Sequence, residues 1–220
     1  MNRLYLEIGP KRVFACSLDW PGWCRVDKGE EAAIERLLDY APRYRVIAAR
    51  AGLEFTPGDP EVVARVRGSV VTDVGVPERV PELDLEPLSG PEAERSVALV
   101  RAAWALFDET AEVSPEELRK GPRGGGRDRT KIVEHVTEAE RSYARRVGVR
   151  HKPYKSRADR EAMRAELAQV LSRPWAPEET GQESPPQKAS WPPRYALRRI
   201  AWHVLDHLWE IEDRRQSRGS

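Results

Sequence analysis

The chain has 220 residues, 37 of them basic and 36 acidic, and 40% hydrophobic, the composition of a soluble globular protein of one or two domains. The near-cancelling charge offers no global field for nucleic acid or anionic lipid, so nucleic-acid binding is not expected. No run approaches the roughly 18 apolar residues of a membrane span, and Met1-Asn2-Arg3-Leu4-Tyr5 lacks the apolar core of a signal peptide, so we expect no membrane association and a cytoplasmic location.

In chain order, Leu4 to Ile8 and Val13 to Leu18 carry strand composition around a Gly9-Pro10 turn, which predicts a hairpin. Asp19-Trp20-Pro21-Gly22-Trp23 predicts a second reversal, with Pro presetting φ at one corner and Gly accepting positive φ at the next, leading into Cys24-Arg25-Val26. Trp20 and Trp23 suit either a partner surface or packing on the strands behind them. Cys16 and Cys24 match no zinc or redox spacing and read as small buried hydrophobes, with a cross-strand disulfide as the alternative. Glu30 to Tyr44 places Ala33, Ile34, Leu37, Leu38 and Ala41 on one helical face. Val62 to Val66 and Ser69 to Val74 return to strand character. Pro77, Pro81, Pro87 and Pro91 then punctuate a boundary.

Beyond it the pattern is helical, with segments at Glu92 to Val113, Arg129 to Val147, Arg157 to Ser172 and Pro193 to Arg214. The expected fold is therefore an α+β domain over 1–80 (a small antiparallel sheet with one helix), a Pro-rich linker over 81–91, and an all-α up-down four-helix bundle over 92–220. The Pro-, Glu-, Gln- and Ser-rich loop from Arg173 to Pro193, with Trp175 and Trp191, has the length of a functional lid.

Three of the four histidines fall in the second and fourth of these helices. His203 and His207 share one helical face, a spacing at which two imidazoles can hold one ion. Such a pair also occurs on ordinary helix surfaces; a third histidine, His135, in a separate helix is what points to a metal. Projection puts all three at the border of the apolar stripes, reachable from solvent. His151 reads as solvated.

Lys131-Ile132-Val133-Glu134-His135-Val136 and Ile200-Ala201-Trp202-His203-Val204-Leu205-Asp206-His207 resemble the DinB/YfiT-like metalloenzymes, over about Glu92 to Arg214. That resemblance implies a four-helix bundle with His135, His203 and His207 as ligands of a divalent transition metal, zinc first, with nickel or iron as alternatives. It also implies a small-molecule substrate, a low-molecular-weight thiol cosubstrate in some members, and a homodimer, although no heptad seam requires one. Val13-Phe14-Ala15, Trp20-Pro21-Gly22-Trp23 and Glu30-Glu31-Ala32 resemble the small domain of HicB-type antitoxins; that family usually carries a separate DNA-binding module, and here the expected bundle occupies the place after the small domain, so DNA-binding regulation is not implied.

Three neutral imidazoles leave a coordination position open, as in catalytic zinc sites, where a water or thiol nucleophile is activated. Glu210, three residues beyond His207, is a candidate proton acceptor or orienting group, or else a solvated glutamate. Glu140 falls near an apolar stripe and needs a partner, with Arg198 or Arg199 the candidates. Arg123, Arg127 and Arg129, around Gly121 to Arg127, are candidate ligands for a substrate carboxylate or phosphate. The sequence thus supports a metal-dependent thiol transferase or hydrolase; the alternative is a non-catalytic, metal-stabilised regulatory protein acting through its N-terminal domain.

Overall fold

A computed structural model describes residues 1–121, 125–177 and 191–215. The predicted hairpin forms from β1 (Asn2–Ile8) and β2 (Val13–Ser17), and β3 (Cys24–Asp27) follows the Trp-Pro-Gly-Trp reversal. In that reversal Trp23 N donates to Trp20 O at 3.0 Å. Gly22 sits at φ 88°, where a side chain would be strained and would collide with Ala201.

The sheet is mixed rather than antiparallel. Its order is β3-β2-β1-β4, and β4 (Pro60–Arg67) lies parallel to β1. The reason is the connection: α1 (Glu30–Asp39) and α2 (Ala41–Arg50) make a helical crossover that returns the chain to the same end of the sheet, which a hairpin cannot do. The single helix expected over Glu30 to Tyr44 is two. Tyr40 N caps the first by donating to Leu37 O at 3.1 Å, and Pro42 begins the second, where its missing N–H costs nothing. Ser69 to Val74, expected as a strand, holds the short helix α3 (Val70–Asp73). There a capping box between Ser69 and Thr72 overrides the β-branched run.

The four long helices are α4 (Gly90–Val113), α5 (Arg129–Arg146), α6 (Arg157–Leu171) and α7 (Pro193–Arg215). Helix α4 opens with a Ser89–Glu92 capping box; the hydrogen bonds from Ser89, with a smaller contribution from Arg194, hold the Glu92 carboxyl down at about 2. Helices α7 and α6 each pack on both α4 and α5, and α2 packs on α4. No helix of the described residues is long and apolar enough to cross a membrane.

Buried side chains of both halves form one cluster, running from Leu4 and Trp23 through Val97 and Phe107 to Ile200 and Leu208. The other sheet face, with Tyr5, Phe14, Cys16 and Cys24, is closed by Trp202 of α7, which meets Phe14 edge-on at 6.1 Å. Cys16 and Cys24 are free thiols on directly opposed residues, and both are buried. Trp20 and Trp23 are interior, packed with Tyr44 and Phe55, and Trp23 Nε1 donates to Leu37 O at 2.9 Å; they present no partner surface. Ion pairs tie α7 to the N-terminal half: Arg198 grips Asp84 with both nitrogens, and Arg25 meets Asp206 at 3.1 Å.

Most of the loop expected as a lid, 178–190, lies outside the described residues. Its flanks are anchored: Trp175 exchanges backbone hydrogen bonds with Leu88, and Trp191 N donates to Arg146 O.

Candidate metal centre

Helix α5 presents His135 and helix α7 presents His203 and His207. The three rings form a nearly equilateral triangle, with centroids 5.1, 4.9 and 4.8 Å apart and planes tilted by 59°, 84° and 83°. One ring nitrogen from each lies within 4.8 Å of the others. The closest pair, His203 Nε2 and His135 Nε2, is 3.2 Å apart. Two nitrogens at about 2.0–2.1 Å from one tetrahedral ion stand roughly 3.3–3.4 Å apart, so this pair fits a shared ion. A hydrogen bond between the two rings would suit the same distance, but it gives no reason for His207 to stand equally close to both.

Burial departs from the helix projection. His203 is 6% and His207 8% exposed, where both were expected at a solvent border; His135 alone is half-buried. Burial, then the neighbouring His207 and Arg199, pushes the pKa of His203 well below that of a free imidazole. Burial, then His207 and Arg127, lowers that of His135. Both are therefore neutral at physiological pH, the state in which an imidazole is a ligand.

Glu210 lies beside the ring of His207. Its Oε2 accepts from His207 Nδ1 at 2.7 Å, and its Oε1 accepts from Arg214 Nη1 at 2.6 Å. With Nδ1 engaged by the carboxylate, Nε2 is the ring nitrogen left to serve as a ligand. Burial raises the Glu210 pKa, but the bond from His207 and the contact with Arg214 outweigh it and hold the carboxyl below its usual range. His203 Nδ1 is buried and has no hydrogen-bond partner among the described residues.

Of the three candidate substrate arginines, Arg123 lies outside the described residues. Arg127 is exposed and close enough for its charge to lower the pKa of both His135 and His203. Arg129 is occupied elsewhere: its guanidinium binds Glu116 at 2.9 Å and the carbonyls of Ala111 and Ser114, joining α5 to the end of α4. Glu140 does have a partner, but it is Arg164 of α6, in two hydrogen bonds at 2.9 and 2.8 Å, and not Arg198 or Arg199. His151 is bound to Glu166 at 2.7 Å.

Two further residues line the cluster. Tyr143 stands two turns beyond His135 on α5, and its ring meets His203 edge-on at 5.6 Å. Arg199 precedes His203 by four residues on α7; its Cζ lies 5.0 Å from the Tyr143 ring and 4.5 Å from that of Trp202. Both share a helix face with a predicted ligand, and that periodicity was the available signal. Comparison with protein-family models, curated proteins and solved structures finds no match, so the functional reading rests on this geometry and on the residues that compose it.

Proposed function

We propose that His135, His203 and His207 hold a divalent transition metal, with zinc the first expectation, and that the protein is a metal-dependent enzyme of the thiol-transferase or hydrolase type. The observation that carries this reading is the convergence of three buried or half-buried imidazoles, one nitrogen each, from two helices. In this reading α4 to α7 are an up-down four-helix bundle of the DinB/YfiT-like kind, acting on a small molecule with a low-molecular-weight thiol as cosubstrate in the transferase case.

A divalent metal bound here would supply Lewis acidity, drawing the pKa of a water or thiol toward neutrality. The chain supplies the setting. Neutral His135 and His203 offer lone pairs without competing protons, and Glu210 keeps the Nδ1 proton of His207 so that Nε2 is left to serve as a ligand. We assign Glu210 the role of positioning His207 rather than of taking a substrate proton, because both its oxygens are engaged. Burial of His203 and His207 excludes water on one side, and half-buried His135 marks the side of approach.

Plasma mass spectrometry on untagged protein purified without chelator tests the reading. About one equivalent of zinc, nickel or iron, lost in the His203→Ala, His207→Ala variant, is the expected result. Protein that holds no metal and binds none on titration would overturn it. A metal-stabilised regulatory protein is separated from an enzyme by the same variant: there its loss would lower stability and leave no thiol-transfer or hydrolysis activity to abolish.

A further inference from the structure

Arg199 is 9% exposed, and its Nη1 is fully buried with no hydrogen-bond partner among the described residues. Four other arginines also bury a side-chain nitrogen without a hydrogen bond: Arg25, Arg141, Arg160 and Arg214. Each of those faces a carboxylate, in Asp206, Glu138, Asp108 and Glu210 respectively. Arg199 faces none among the described residues; it is held only between the rings of Tyr143 and Trp202. Ring faces attract a cation but accept no N–H in the plane of the guanidinium, so Nη1 stays without an acceptor.

Arg199 lies close enough to the three-histidine cluster for its charge to act on His203. Arg199 lies one turn before His203 on the same face of α7, and Tyr143 touches both, with its ring 5.6 Å from that of His203. A second cation, Arg127, stands near His135 on the exposed side, and no ion pair engages it among the described residues. The three imidazoles are thus flanked by two positive charges, while Glu210, the carboxylate bonded to the cluster, is paired with Arg214.

From this arrangement we infer that the substrate of the three-histidine site carries a carboxylate, and that Arg199 binds it while Arg127 draws it toward the site. The inference rests on the metal-site reading above and names the substrate class. One planar guanidinium matches a carboxylate bidentately and balances its single charge, whereas a phosphate dianion would remain half compensated at the buried position. Arg199 is a binding residue for the group remote from the reacting atom.

The test uses zinc-loaded full-length protein with its metal content measured in parallel, and two probes that differ in the anion, 4-mercaptobutyrate and its methyl ester, whose carboxyl is too far from the thiol to form a tight zinc chelate or to change the thiol pKa much. Calorimetric titration is expected to show the acid binding at least about tenfold tighter than the ester, with a matching rise in thermal midpoint. In Arg199→Met that preference disappears, while the midpoint without probe stays level or rises, because a charge lacking a partner has been removed; a structural arginine would lower it. Equal binding of acid and ester by zinc-loaded wild type would overturn the inference and leave the metal centre standing, and this comparison needs no variant. Failure to take up zinc at all would overturn both.

Discussion

Helix α5 carries two polar clusters on adjoining turns, and they are built in opposite ways. Glu140 is fully buried, yet both its oxygens accept from Arg164, whose remaining nitrogen reaches Asp108 at 2.8 Å. Charge is balanced and the donors facing Glu140 are used. At His135, His203 and His207 one ring nitrogen of each lies within 4.8 Å of the others with no counter-charge between them, and the adjacent Arg199 has no counter-ion among the described residues. A closed polar cluster holds helices together; an open one costs stability and is retained where something outside the chain completes it. The contrast separates a structural cluster from the candidate metal site on the same helix.

The largest expected effect falls on the closed cluster. Glu140→Ala leaves Arg164 short of a partner in a buried position and is predicted to lower stability by about 3–5 kcal/mol in urea denaturation. A loss under about 1 kcal/mol would mean that Asp108 alone satisfies Arg164, and the contrast would weaken. Next comes metal: at a free zinc concentration about 1,000 times the dissociation constant, zinc is predicted to stabilise the wild type by about 4 kcal/mol, seen as a raised thermal midpoint. The His203→Ala, His207→Ala variant should show no such rise, and a zinc-dependent shift that survives in it would place the ion elsewhere.

A smaller effect is expected from Glu210→Gln, which keeps the shape but loses the charge that orients His207. Zinc affinity measured by competition with a chromophoric chelator should fall about 10- to 100-fold. Unchanged affinity would reduce Glu210 to a partner of Arg214.

The smallest effect is on pH dependence in metal-free protein. The pKa values of His135 and His203 lie below the unfolded value near 6.5. Between the folded and unfolded pKa values the unfolded chain therefore binds more protons, and stability rises with pH. The contribution is intact above about pH 6.5 and is lost progressively as pH falls toward the folded values. Urea midpoints between pH 8 and 5 should decline in this window, less steeply in His203→Leu. A flat wild-type profile would mean that the imidazoles are less enclosed than the structure has them.

Much of this was legible locally. Apolar periodicity located the four long helices to within two residues at either end, because it is a property of each segment by itself; the Ser89–Glu92 box that opens the first of them went unread, and its start was set two residues late. The strands of the hairpin and the Trp-Pro-Gly-Trp reversal were equally plain. The expected strand at Ser69 to Val74 failed where a capping box outweighed β-branched composition, and the single helix at Glu30 to Tyr44 failed where Pro42 opens a new one.

The sequence by itself determined which residues converge: His203 and His207 share a face by spacing alone, and His135 sits where a neighbouring helix can meet them. Only the tertiary structure decided how deep they lie and what surrounds them. Projected alone, α7 has one apolar face and one charged face, which put its histidines at a solvent border. In the folded chain the β-sheet covers part of that second face through Trp202, Asp84 takes Arg198, and Tyr143 meets Arg199, so the helix is buried nearly all round. Helical periodicity records the neighbours a segment has along its own axis; contacts contributed by residues a hundred positions away leave no trace in it.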